Sequence, residues 1–254
     1  MINWIGFGSL YKKEVLRFIK VYNQTLITPV INSLLFLAIF MLAIGERIPQ
    51  ISGLPFAEFM APGLISMVIV QNSFANASSS MTMGKVLGHY IDLLIPPLSA
   101  FEISWAMVLA AATRGIIAGV LASIAIKFFV PITIYDFTYL VIYVILTSAI
   151  LGVAGFICGI VSNSFDQMAA VTSYIITPLS FLSGTFYSIK NLPDIWQKVS
   201  QYNPFFYMID GIRYAMTSYH DGNLLIGIIY LILFFIILFI TAIIMLRSGF
   251  RMRS

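Results

Sequence analysis

The chain is built from long, unbroken apolar runs rather than from alternating apolar and polar positions. Residues 224–246 are almost entirely Leu, Ile and Phe and carry no charge. At about 0.3–0.6 kcal/mol in favour of the bilayer per such residue, this run inserts with several kcal/mol to spare. A helix needs about 20 mostly apolar residues to cross a bilayer. Stretches meeting that requirement are 25–45, 60–80, 103–126, 137–161, 167–187 and 223–247. The pattern therefore predicts an all-α membrane fold of six transmembrane helices in one domain, residues 1–254. Spans one to five occupy 25–187, with a connecting loop at 81–102, and span six occupies 223–247. Ahead of them, within 1–24, residues 5–22 have an amphipathic helical period. Phe7, Tyr11, Val15, Phe18 and Tyr22 share one face, with Lys13, Arg17 and Lys20 on the other. A basic helix with an aromatic face suits the membrane interface, cations toward headgroups; a solvated juxtamembrane helix is the plainer reading.

Residues 184–213 are too apolar for a soluble loop and too punctuated by Pro, Gly and charge to cross as one helix. Within the segment 188–222, Pro193 suits a first helical turn, and Asn203-Pro204 breaks the chain between two short helices. Ile195, Trp196 and Val199 form an apolar edge, and Tyr202, Tyr207, Tyr214 and Tyr219 supply rings of the kind found at headgroup depth. The expectation is a re-entrant helical pair in the outer leaflet, before the last span.

Composition closes off other classes. Of 254 residues 60% are hydrophobic and 9% charged, with mean hydropathy +0.96, against about 45–50% and about 25% in soluble domains. Lipid must be the main solvent, and lipid admits only helices or closed barrels; the alternation of a barrel strand is missing. The net charge of +4 and pI of about 9.1 reflect cytoplasmic Lys and Arg rather than nucleic-acid binding. Setting Arg114 aside, cations divide about eight to five in favour of the side holding both termini, which places the termini in the cytoplasm. The cationic stretch 12–20 precedes the apolar run 26–44 with no small-x-small pattern after it, as in an uncleaved first span. Cys158 is the only cysteine, so no intrachain disulfide forms, and packing is its simplest role.

Candidate chemistry is sparse. In 81–102, Met83, Leu87, Tyr90 and Leu94 follow a helical period that Pro96-Pro97 stops, and Lys85, His89 and Asp92 decorate the helix. Such a cytoplasmic helix is either a docking lever for a partner or a plain connector. Arg114 lies inside the third span, where an arginine costs about 2.5–3.5 kcal/mol. Residues 115–126 put about 18 Å between it and Lys127. In a core about 30 Å thick it thus sits about 12 Å from the other boundary, which favours an interior role over snorkelling. Glu102, Asp136 and Asp166 lie only at span ends, so a proton relay of intramembrane carboxylates is missing. Two histidines, His89 and His220, and one cysteine make no metal site. Gly84-Lys85 lacks the upstream glycine of a phosphate loop, so this chain does not cradle ATP by that motif. The fifth span is rich in Ser, Thr and small residues and contains Pro178, which suits packing against a second copy or lining a substrate path.

Over nearly its whole length the chain resembles the membrane permease subunits of ATP-binding-cassette exporters, the ABC type-2 family. The resemblance rests first on Ser183-Gly184-Thr185-Phe186-Tyr187, Leu192-Pro193, Trp196, Asn203-Pro204, Tyr207, Asp210-Gly211 and Arg213-Tyr214. It is extended by Ala61-Pro62-Gly63-Leu64-Ile65, Ala75-Asn76-Ala77-Ser78-Ser79, and the stretch from Leu93 to Pro97. It implies a bacterial inner-membrane, multi-pass permease paired with a second copy of itself and embedded in membrane lipids. It also implies a separate ATPase subunit that binds ATP and Mg, with no cofactor on this chain. By the same resemblance, Lys85, His89 and Asp92 couple to the ATPase, and Gly184, Pro193, Trp196, Asn203, Pro204, Tyr207 and Arg213 shape an outer gate. The implied cargo is an apolar or amphipathic compound: a drug, a lipid or a lipid-linked glycan. A secondary transporter or channel working without an ATPase, and a scaffold that only anchors a partner, are the competing readings.

Overall fold

The computed structural model describes residues 3–45, 50–89 and 95–251, and they are overwhelmingly helical. Helix α1 is Trp4–Lys20 and α2 is Thr28–Phe40, with π-helical turns before it (Asn23–Ile27) and after it (Met41–Gly45). A two-residue hairpin, β1 Gln50–Ile51 with β2 Leu54–Pro55, follows. Its turn residues, Ser52 and Gly53, both take positive φ, as tight hairpin turns require. Then come α3 (Phe56–Val86), α4 (Ala100–Lys127), α5 (Phe137–Val161), α6 (Phe165–Val171) and α7 (Thr177–Phe181). The chain ends in α8 (Asp194–Gln201), α9 (Pro204–Thr217) and α10 (Leu224–Ser248).

Among the described residues, four helices are long and apolar enough to span a membrane: Asn23–Ala43, Ala100–Lys127, Phe137–Val161 and Leu224–Ser248. The second and fifth expected spans depart from this pattern for different reasons. Helix α3 has length to spare at 31 residues, yet it is walled in by α2, α4, α5 and α9. A helix facing protein on all sides can afford Asn72, Ser73, Asn76 and Ser78, all buried. Asn72 and Ser78 satisfy themselves on carbonyls one turn back, at 2.9 and 2.8 Å. The fifth helical stretch stops at Phe181 rather than 187, because the chain turns out at Gly184, whose φ is +76°, a conformation that suits glycine.

The contact of α3 with α5 organises the bundle. A Cβ on Gly155 would stand 2.2 Å from the Phe74 carbonyl oxygen, and one on Gly159 would stand 2.5 Å from the Met81 side chain. The helices touch backbone to backbone, as small residues one turn apart permit within a bilayer. Around this seam lie two apolar cores. One gathers Phe59, Ile65, Phe74, Tyr143 and Ile212, the other Leu10, Met81, Met107, Phe156 and Phe239. Helix α10 buries only Gly227, Leu231, Phe239, Ala242 and Leu246, and Trp105 seats against its Phe239 with ring centroids 4.8 Å apart.

Prolines in two helices are accommodated in one way. The sequences Leu26-Ile27-Thr28-Pro29 and Ile175-Ile176-Thr177-Pro178 each follow a π turn. Thr28 N–H bonds the Asn23 carbonyl and Thr177 N–H bonds the Thr172 carbonyl, five residues back. The widened turn makes room for a ring that would otherwise strike a carbonyl four residues back. Helical turns therefore continue through Pro178, from Phe165 to Phe181.

Helix α1 is docked on protein. Asn3 N–H bonds the Glu102 carboxylate at the start of α4, and Tyr11 Oη lies 2.9 Å from Thr113 Oγ1 further along it. The buried line is Leu10, Glu14 and Phe18, while Tyr22, placed by periodicity on the apolar face, is exposed. The face is rotated because Glu14 is inside, held by Arg17 at 3.0 Å. Arg17, expected among the headgroup-facing cations, points into the bundle.

Replacing Gly155 by Leu should cost about 1–3 kcal/mol or more through overpacking, read as a lower unfolding midpoint in detergent. Gly8→Ala, where a Cβ meets nothing within 4 Å, should leave the midpoint unchanged or raise it. Equal midpoints for the two variants would contradict the backbone contact described.

Candidate functional site

The end of the molecule carrying the hairpin and the α7–α8 connection is knitted by Arg213 of α9. Assigned from sequence to the outer gate, it is 1% exposed. Its guanidinium donates to the carbonyls of Gly184 (2.6 Å), Thr185 (3.3 Å) and Phe59 (3.4 Å). It also lies 4.0 Å from the centroid of the Phe59 ring, within cation–π range. One side chain thus ties the turn after α7 to the start of α3. One helical turn earlier, Asp210 accepts the N–H groups of Asp221 (2.7 Å) and Gly222 (2.9 Å). Burial pushes its carboxyl up, opposed by those two N–H groups and then by Arg213. Asp221 in turn accepts from Ser188 Oγ (2.7 Å) and Ile189 N–H (3.1 Å), with Lys190 at 3.7 Å. Asp221 and Ser188 were missed from sequence; the one available signal was the Asp-Gly pair just before the Asn223 cap of α10.

Four of the seven residues assigned to an outer gate meet around one cavity. Pro193, Trp196, Asn203 and Pro204 line a mostly apolar space of about 630 Å³ with Leu179 and Tyr187. Pro193 is the residue before α8 rather than inside its first turn; its carbonyl accepts the N–H of Trp196 (2.9 Å) and Gln197 (3.1 Å). Asn203 caps α9 through Phe205 N–H (3.1 Å) and donates to the Leu179 carbonyl (3.0 Å) and Ser183 Oγ (2.8 Å). It therefore fixes the angle between the α8–α9 pair and α7. Gly184 and Arg213 are joined to each other, as described, away from this cavity. Tyr207 is apart from both, its ring tilted against those of Phe206 and Tyr230 with centroids 5.0 and 5.2 Å away.

Between the two ends runs a polar ladder on α3. Arg114 is 8% exposed, and its Nη2 donates to Asn72 Oδ1 at 3.2 Å. Its Nε, and the neighbouring Ser73 hydroxyl, meet no hydrogen-bond partner among the described residues. One turn along α3, Asn76 receives Arg17 Nη2 on its carbonyl (2.7 Å) and on its side-chain oxygen (3.1 Å), and Ser79 receives Nη1 (3.3 Å). Two arginines thus share this ladder with one carboxylate, Glu14, which pairs with Arg17. Arg114 faces the interior, as its depth predicted, with no acid to neutralise it among the described residues. Such a group is costly to hold and attracts negative charge.

At the opposite end, α3 runs on through Met83 to Val86 before a turn over residues 87–89, so Lys85 belongs to the end of α3. Its ammonium donates to the carbonyls of Ile160 (2.7 Å) and Ser162 (2.8 Å), capping α5. Partial burial and then Arg251 lower its pKa. His89 ends that turn and is exposed. Asp92, with Tyr90 and Leu94, falls outside the described residues.

The sequence model described as ABC-2 type transporter matches residues 6–217. The chain belongs to this family. The match takes in α1, the α3 ladder, and the Arg213 network to the end of α9. Among relatives, the inner membrane transport permease YadH of Escherichia coli is 32% identical over 99% of this chain and 98% of its own length. Nodulation protein J of Neorhizobium galegae and of Rhizobium leguminosarum are each 22% identical over 97% of this chain and 94% of their own. This ABC-2 chain is accordingly a multi-pass inner-membrane transport permease subunit rather than an enzyme.

In this permease, Arg213→Met should strand three buried carbonyls at about 1–3 kcal/mol each, and the unfolding midpoint and folded yield should drop sharply. Arg114→Leu removes a buried charge with one hydrogen bond and should leave stability unchanged or higher. A reversed order, with Arg114→Leu the more damaging to folding, would refute the division of labour between the two arginines.

Proposed function

We propose that this permease moves an apolar or amphipathic compound out across the inner membrane, driven by a separate ATPase subunit that binds ATP and Mg. The family match over residues 6–217 carries the reading. In it, α3 and the stretch 165–181 join the four apolar helices as spans, giving six, with both termini cytoplasmic. The α8–α9 pair dips into the outer leaflet, and two copies of the chain pair side by side. The ATPase docks against the end holding Lys85, His89 and Asp92. Closure there acts on α3 and α5 together, since the Lys85 ammonium holds the end of α5 to the end of α3. The aromatic cavity between α7 and α8 is part of the exit. Arg114, unmatched on the α3 ladder, receives the anionic portion of a drug, lipid or lipid-linked glycan as it passes.

The test is reconstitution of the permease in liposomes with and without its candidate ATPase. The pair should associate, and export should require hydrolysable ATP. Reversing charge at His89 and Asp92 (His89→Glu with Asp92→Lys) should lower ATP turnover in the assembled complex about tenfold, about 1.4 kcal/mol. Transport by the permease alone down an ion gradient, or turnover indifferent to those reversals, would reject the proposal. Arg114→Leu should keep assembly and basal ATP turnover but abolish export; unchanged export would remove Arg114 from the path.

A further inference from the structure

A crevice of about 800 Å³ opens between α4 and α5 at their Lys127 and Phe137 ends, within the roughly 300–1,000 Å³ of small-ligand sites. Its walls are Gly119 and Ile124 of α4 and Leu140 and Val144 of α5, and its floor includes Ile69 of α3. It is distinct from the α7–α8 cavity and touches neither the Arg114 ladder nor the Arg213 network.

Three observations define its occupant. The lining is almost wholly apolar, and its two hydroxyls are already spent: Ser123 Oγ donates to the Gly119 carbonyl (2.8 Å) and Thr133 Oγ1 to the Met216 carbonyl (3.5 Å). The single charged group in the lining is Lys127, exposed at the rim, and no carboxylate pairs with it among the described residues. Finally, the lining of α4 runs from Ile116 to Lys127, about 16 Å of helix and about half of a 30 Å hydrocarbon core. Phe128, Phe129 and Tyr135, neighbours in sequence of the lining residues Lys127 and Ile134, are exposed, as aromatic side chains often are at headgroup level.

We propose that the crevice holds one acyl chain of an anionic phospholipid from the leaflet at the Lys127 end, with the Lys127 ammonium on the lipid phosphate. An apolar slot one leaflet deep with a lone cation at its mouth matches a molecule with one long chain and one anionic group beside it. The site is independent of how transport is driven.

The test uses the full-length permease in nanodiscs of equal phosphatidylglycerol and phosphatidylethanolamine, extracted and read by native mass spectrometry. Wild type should retain phosphatidylglycerol in preference to phosphatidylethanolamine. Ile124→Trp, which fills the slot, should lose most of the retained lipid, whereas Ile237→Trp on the exposed face of α10 should not. Lys127→Gln should keep lipid but lose the preference for the anionic headgroup; as an exposed position it keeps the test decisive should Ile124→Trp fold poorly. Lys127→Gln retaining the preference, or Ile124→Trp retaining as much lipid as Ile237→Trp, would overturn the proposal. So would efficient disulfide formation between two copies carrying Ile124→Cys, which would put a second chain in the slot. Each result stands whether or not an ATPase partner is found.

Discussion

The direct approach of α3 to α5 is the constraint on which the rest of the molecule depends. In lipid no apolar driving force distinguishes one helix face from another, so close dispersion contact and satisfied hydrogen bonds must hold a bundle together. Gly155 and Gly159 remove the side chains that would keep the two backbones apart. Once they meet, α3 is enclosed, and enclosure is what lets it carry buried asparagine, serine and threonine. The Arg17 and Arg114 contacts with Asn76 and Asn72 exist only because that polar face is turned toward protein. Polar groups on α3 are kept away from lipid, and the glycine seam is the physical means of hiding them.

The two buried arginines have opposite characters. Arg213 satisfies carbonyls from two separate parts of the chain and rests on an aromatic ring, so its charge is absorbed by structure. Among the described residues, Arg114 has one partner and an idle donor. Its charge is therefore met by far less of the surrounding structure than that of Arg213.

Much of the helical layout was legible in the residues. The runs 137–161 and 223–247 coincide with α5 and α10 to within a residue, because nothing in them competes with apolar continuity. The end of the fifth stretch was not legible, since it is set by a tertiary bond from Arg213, far away in sequence, to Gly184. Nor was the inward turn of Arg17: on a helical wheel it belongs with lysines, and Glu14, Asn76 and Ser79 draw it in. Asn203 and Pro204 could be read as a break from their local chemistry, whereas the service of Asp221 to Ser188 and Ile189 joins loops that no periodicity links. That Arg114 is buried agrees with a residue count along its helix, whereas its pairing with Asn72 rather than with a carboxylate, among the described residues, is a fact of three-dimensional arrangement.

The paired π turns before Pro29 and Pro178 have a bearing on how these helices age through substitution and length change. Each wide loop of backbone holds one more residue than an ordinary turn, which rotates everything beyond it by about 100° relative to an unbroken α-ladder. The apolar stripe of each helix is therefore out of phase with itself across the bulge. Losing a single amino acid there would restore regular pitch yet drive the proline ring into a carbonyl, so the surplus residue and the proline are tied together: neither can be discarded alone.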